Sequence, residues 1–165
     1  MENHKLLKFI FILLLCTLPS CISIGLSKSA EPAKDVRYTT PKSPFKEHNT
    51  KTGDRVWLSQ ETGNTLSYIS DCSVNTDPSL ESIESDALSG IENLKIISTQ
   101  KQNYNDRESL DTTAEGQVDG VSIRIEVISL KKNSCNYNII YAGKVNNFEK
   151  EISYFKNFKE SFNAP

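Results

Sequence analysis

Few side chains in this 165-residue sequence could do covalent or acid-base chemistry: four cysteines, two histidines and carboxylates among 21 Asp and Glu. Cys72 and Cys135 are the pair whose chemistry is most open. In an oxidising compartment an even pair reads as a structural disulfide. Closing a loop of about sixty residues stabilises a fold by roughly 4 kcal/mol on the chain-entropy argument. The rival reading is a redox-active pair, for which the sequence offers neither Cys-x-x-Cys spacing nor a flanking Lys or His to lower a thiol pKa. His48 sits in a stretch rich in Ser, Thr, Lys and Pro. A Ser-His-Asp or Cys-His arrangement would have to recruit it from a loop, and a zinc site would have to join it to two distant cysteines. No phosphate-cradling Gly loop and no Gly-x-Ser-x-Gly elbow is present. Carboxylate-only catalysis would need Asp71, Asp106, Glu108, Asp111 and Glu115 to converge, whereas acids on loops are ordinarily just solvated. Tyr104, Asn105, Asp106 and Arg107 place an aromatic, an amide and a guanidinium in one segment, the mixture enriched at recognition patches. The plainer reading of that segment is a loop held by an Asp-Arg contact.

Cys21 belongs to a different pattern. A positively charged start (Lys5, Lys8), an apolar run ending at Leu15 and turn-forming residues match the three regions of a secretory signal peptide. The run is too short to span a bilayer, which takes roughly 20 apolar residues. Leu18-Pro19-Ser20-Cys21 resembles the lipobox of bacterial lipoproteins, in which the Cys is acylated, by palmitate-class chains among others, and the chain is cut just before it. Pro19 departs from the small residue commonest there, and an ordinary cleaved signal is the other reading. The resemblance implies a signal peptide over 1–20 and a membrane anchor at Cys21, held almost permanently by two or three acyl chains. Ile22 and Ser23 stand where that family carries Asp for inner-membrane retention, so the resemblance favours the outer membrane, facing the periplasm.

From 21 to 53 the composition predicts a flexible tether, since Val36, Tyr38 and Phe45 are too isolated to define a buried stripe. Ile22 to Gly53 carries six Lys or Arg against three acids, about +3, while Asp54 to Pro165 carries eleven against seventeen, about −6. A basic tail can hug anionic head groups or merely be solvated. The acidic domain argues against nucleic acid as a partner, because phosphates demand a basic face.

Residues 54–165 suffice for one core. Val56 to Leu58 and Thr65 to Ile69 read as strands around the turn cluster Glu61 to Asn64. Asp77-Pro78 offers an N-cap and first-turn Pro, after which Leu80, Ile83, Ala87, Leu88 and Ile91 recur at helical spacing over Ser79 to Ile91. Leu94 to Thr99 has strand character and Gln102 to Arg107 reads as a loop. Asp119-Gly120 predicts a two-residue hairpin turn, with Val118 opposite Val121, Gly116 beside Ile123, Ala114 beside Ile125 and Glu115 facing Arg124. The alternation Val121, Ile123, Ile125, Val127 then shifts phase to Ile128 and Leu130, implying a bulge or burial on both faces. Lys131 to Ser134 supplies the next turn, and Cys135, Tyr137, Ile139 and Tyr141 share one side of the returning strand. A turn of odd length would set them on the side of the Val121 to Val127 series; an even one would not. Asn146 with Glu149 resembles a capping box, and Phe148, Ile152, Phe155, Phe158 and Phe162 form an apolar helical stripe, read as core.

The order predicts an α+β domain, a mainly antiparallel sheet of five to six strands with two or more packed helices. The helix near Ser79 to Ile91, the Asp119-Gly120 hairpin, the strand Cys135 to Ala142 and the closing Phe-rich helix resemble the PsbP-like fold of DcrB-like small lipoproteins. That resemblance implies a binding or assembly scaffold with no shared catalytic residues to carry over, and no cofactor and no metal site is expected. The expectation is therefore a lipid-anchored, non-catalytic module that binds an envelope protein in the periplasm, with a thiol- or carboxylate-dependent envelope enzyme as the alternative.

Overall fold

Three two-residue turns organise the sheet. Asp119 and Gly120 have φ of 50° and 74°, Asn105 and Asp106 have 56° and 61°, and Asn133 and Ser134 have 50° and 64°. Short polar residues and Gly tolerate this left-handed backbone, whose twist suits tight hairpins. The computed structural model describes residues 30–49, 55–73 and 77–165. The expected signal peptide and Cys21 lie outside them.

The strands are β1 (Phe45–Glu47), β2 (Arg55–Ser59), β3 (Thr65–Asp71), β4 (Glu92–Tyr104), β5 (Arg107–Val118), β6 (Val121–Lys132) and β7 (Cys135–Lys144). They form one antiparallel sheet in the order β1-β2-β3-β7-β6-β5-β4. The helices are α1 (Leu80–Leu88), α2 (Val145–Phe148) and α3 (Ile152–Ser161). The α+β expectation holds, with seven strands rather than five to six. The β5-β6 register is the expected one, Val118 with Val121, Ala114 with Ile125 and Glu115 with Arg124. The stretch read as a loop, Gln102 to Arg107, is instead the end of β4, a two-residue turn and the start of β5. At the start of α1 the cap is Ser79, whose side chain accepts from the Ser82 N–H at 3.2 Å, and not Asp77, which pairs with Lys131 at 2.7 Å.

The phase shift in β6 is burial on both faces, since its ladders with β5 and β7 run without a bulge. The even turn at Asn133-Ser134 pairs Leu130 with Tyr137 and Ile128 with Ile139. One face of the sheet thus carries Trp57, Leu66, Tyr68, Ile128, Leu130, Tyr137, Ile139 and Tyr141, packed with Phe155, Phe158 and Phe162. The other carries Ala114, Ile125 and Val127 under Leu88, and Leu110 under Leu80 and Ile83. The Phe stripe is core, as its spacing implied. It is not one helix, however, because the chain breaks between α2 and α3 to bury Glu151. That carboxylate accepts from Ser59 Oγ at 2.7 Å, Thr62 Oγ1 at 2.5 Å and Asn64 Nδ2 at 3.2 Å. A buried charge needs such partners.

The tether expectation is corrected over residues 30–49. Tyr38 packs its ring 5.4 Å from Tyr68, 5.4 Å from Phe158 and 5.5 Å from Trp57, and Phe45 is buried in β1 against Tyr154. Arg37 and Asn163 exchange backbone hydrogen bonds of 3.0 and 2.8 Å. The apolar residues of this strap are sparse because each reaches a different element; the stripe they complete belongs to β2, β3 and α3.

Cys72 and Cys135 are bonded, with Cα atoms 4.1 Å apart. They extend the β3-β7 ladder by one position beyond Asp71 and Asn136, tying the amino-terminal strands to the central sheet.

Candidate functional site

Helix α1 covers β5, β6 and β7 and stops at Leu88; its first turn reaches the outer strand β4 through Glu81, 3.6 Å from Lys101, while its last turn packs on Ala114, Ile125 and Val127. The chain passes from α1 into β4 through Gly90 and Ile91. It crosses close over Gly116, where an added Cβ would lie 2.3 Å from Ile91 Cγ2 and 2.7 Å from the Glu92 carbonyl. Two register shifts follow, between Glu92 and Lys95 and between Ile96 and Ser98. Such bulges turn side chains out of the regular alternation. Leu94, Ile96 and Ile97 consequently stand 41%, 46% and 50% exposed, and Val118 and Val121 at the β5-β6 hairpin tip are exposed at the same end of the sheet. Single exposed aliphatics are ordinary, whereas a cluster at one corner marks a surface fit for an interaction.

At the same end of the sheet, on the face of Glu115 and Arg124 opposite that of Ala114 and Ile125, lies an open cleft of about 650 Å³ whose lining includes Lys95, Glu115, Gln117, Ser122, Lys144 and Asn146. Arg124 takes up the cleft's carboxylate, with Nη2 2.7 Å and Nε 2.9 Å from Glu115 Oε1, and it also pairs with Glu149 at 2.9 Å. Hydrogen bonding to Glu115 raises the Arg124 pKa above its ordinary value. Among the described residues, Lys95 and Lys144 have no ion-pair partner. The cleft therefore presents two lysines and several neutral hydrogen-bonding side chains, with Ile96 on the opposite face of the sheet.

The segment singled out from sequence lies at the opposite end of β4, and half of it faces inward. Tyr104 Oη donates to the Lys159 carbonyl at 2.6 Å, Asn105 Nδ2 donates to the Phe162 carbonyl at 3.1 Å, and Asn105 Oδ1 accepts from the Ala164 N–H at 2.8 Å. Tyr104 and Asn105 clamp the carboxy-terminal segment, while Asp106 and Arg107 are exposed and joined by an Arg107 contact to the Asp106 carbonyl at 3.2 Å.

The five carboxylates considered for catalysis do not share one site. Asp71 accepts from Ser73, Glu108 meets Lys101 at 3.4 Å, Glu115 meets Arg124, and Asp106 is at the turn. Asp111 and Glu115 lie four residues apart on one strand, about 13 Å. Asp111 instead shares Lys159 Nζ, at 2.5 Å, with Glu126, at 3.8 Å. Glu126 escaped notice because it reads as one more polar position on a strand whose other face is apolar. Burial first, then the neighbouring Asp111, raises its pKa, against the pull of Lys159 and Lys156. The Lys159 ammonium thus pairs with both acids. The thiol alternative meets the bonded pair Cys72 and Cys135, which carries no thiolate. No group of His, Cys, Asp and Glu suited to a metal ion occurs among the described residues.

No protein-family profile matches the chain, and no curated protein matches it by sequence. Solved structures do match. A cyanobacterial PsbP, CyanoP from Synechocystis, superposes with a TM-score of 0.55 at 12% identity, covering 86% of this chain and 96% of that one. LpqN of Mycobacterium tuberculosis, described as involved in cell envelope biogenesis, superposes with a TM-score of 0.60 at 6% identity, covering 85% and 88%. At such identities the likeness is one of fold. The chain has the PsbP-like fold expected from its element order.

Proposed function

We propose that this protein is a lipid-anchored cell-envelope module, held through Cys21 to the outer membrane and facing the periplasm, whose work is to bind an envelope protein without catalysis. The observation that carries the reading is the uncovered corner of Leu94, Ile96, Ile97, Val118 and Val121. A sheet that buries aliphatics on both faces elsewhere leaves these outside, where a partner would remove them from water at about 25 cal/mol per Å². The lipobox-like Leu18 to Cys21 supports the anchor, and the existence of an envelope protein of the same fold agrees with the location.

Two measurements test it. The intact mass of the protein isolated from cells should equal that of a chain beginning at Cys21 plus acyl groups; an unacylated chain removes the anchor. Placing a photoreactive residue at Ile97 in intact cells should yield an adduct with an envelope protein. Changing Leu94 and Ile96 to Asn in the same chain should abolish that adduct while leaving stability within about 0.5 kcal/mol, as for surface sites. A stable, correctly located protein that forms no protein adduct from Ile97 overturns the binding assignment.

A further inference from the structure

The strand register sorts the open end of the sheet into two unlike faces. Residues two apart on a strand share a face. Gly116 and Val118 of β5, with Val121 and Ile123 of β6, therefore continue the face of Ala114 and Ile125. Ile96 joins them as the ladder partner of Ala114, and Ile91 crosses over Gly116. Lys95, Glu115, Gln117, Ser122 and Arg124 fall on the opposite face. Beyond the last turn of α1 the sheet thus ends in an apolar platform, on which β4, β5 and β6 place no charged residue from Ile96 to Val121. Leu94 and Ile97 flank it at the two register shifts of β4.

The composition of the platform selects its occupant. It carries no aromatic ring and no guanidinium, the side chains that supply most hot spots. Interfaces between copies of one chain are the more apolar class. At 40–50% exposure, Leu94, Ile96, Ile97, Val118 and Val121 leave on the order of 400 Å² uncovered, close to the apolar share of the roughly 800 Å² that each partner brings to a standard interface. A two-fold contact covers the corners of both molecules at once and requires only that the patch fit itself. We infer, resting on the binding function proposed above, that the envelope protein bound at the corner is a second copy of this chain, the two platforms meeting across a two-fold axis. Asp54 to Pro165 carries eleven Lys or Arg against seventeen acids, so the two bodies repel at a distance. Salt screens that repulsion, and association therefore strengthens with ionic strength, the reverse of a contact made by opposite charges.

The test places a photoreactive residue at Ile97 of the full-length protein in intact cells and follows the mass of the protein purified from those cells by light scattering over a range of salt. The expected adduct has twice the mass of one chain, and the crosslinked peptide of the second copy contains residues 94–97 or 118–121. Combining Val118→Asn with Val121→Asn, both exposed at the hairpin tip, should lower that adduct at least tenfold, because a two-fold contact counts each substitution twice. The Cys72–Cys135 bond and the far-ultraviolet spectrum should be unchanged in that variant. The dimer fraction of the purified protein should rise severalfold from low to high salt. An Ile97 adduct to a different protein overturns the second copy and leaves the binding function standing. A double-mass adduct does the same if its crosslink falls outside the corner or if it is indifferent to the valine substitutions, as does a dimer that dissociates when salt is raised. Adducts with lipid alone, or none, overturn both.

Discussion

Replacing Gly143 by Ala is the sharpest test of how this domain joins its two halves. Gly143 lies on β7, and its backbone is not in the left-handed region, so Ala costs nothing in conformation there. The added Cβ would sit 2.0 Å from Asn64 Oδ1 and 2.7 Å from its Cγ, far inside van der Waals contact. Asn64 is fully buried and has no free space to retreat into without giving up its bonds. Its Nδ2 lies 2.8 Å from Tyr141 Oη, 3.0 Å from the Asn147 carbonyl and 3.2 Å from Glu151 Oε2. Two or three of these interactions are lost together, and each buried group left unpaired costs about 1–3 kcal/mol, so the expected loss is about 2–6 kcal/mol. A domain of this size holds only about 5–15 kcal/mol. The assay is denaturant unfolding without reductant, run as a double-mutant cycle with Asn64→Ala. In the Asn64→Ala background the methyl has room, so Gly143→Ala should cost less than about 1 kcal/mol. A loss below about 1 kcal/mol in the native background, or equal losses in both backgrounds, would refute the reasoning.

Other consequences are open to measurement. Cys72→Ser with Cys135→Ser should lower stability by about 4 kcal/mol, given a sequence separation of 63, and reductant should do the same to the wild type but not to the variant. Glu126 has a raised pKa, so its native form holds the proton more tightly than the unfolded chain does; its contribution is full below the ordinary value of 4.5 and lost as pH rises through the raised one. Glu126→Gln should therefore lose less stability than the wild type between pH 4.5 and 7, and a variant with an unchanged slope would contradict the burial argument. Tyr104→Phe removes one hydrogen bond to α3 and should cost about 1 kcal/mol, whereas Arg107→Ala should be neutral by thermal unfolding.

What could be read beforehand follows from where each residue finds its partners. Asp119-Gly120 and the β5-β6 register were legible because a tight turn and its flanking alternation are local. The helical stripe of α1 and the Phe residues of α2 and α3 were legible for the same reason, although the break at Glu151 was not, since its cause lies about ninety residues away at Ser59. The far half of β4 looked like a loop because an edge strand wet on both sides has no alternation, and because Asn105-Asp106 turns without Gly. The strap over residues 30–49 was hidden by distance in sequence: the Thr39 N–H finds its acceptor in Ser161. The apolar corner was unreadable in principle, since Leu94 and Ile96 look like any strand aliphatics until the length of α1 decides that they stay uncovered.

The strap changes the scale on which this protein can search. The Glu31 carbonyl accepts from the Cys72 N–H at 2.8 Å, and the Ala33 N–H donates to Ser70 Oγ at 2.7 Å, so the chain joins the body at the disulfide-bearing end of β3. A tether running from 21 to 53 would let the domain roam freely, but only nine steps of chain separate Cys21 from Ala30. Even fully extended they span about 30 Å. With an acyl anchor at Cys21 the body becomes a short-leashed object, kept within about its own width of the lipid. Its encounters then occur in a thin layer at high effective concentration, and weak docking at the corner suffices for a partner in the same membrane.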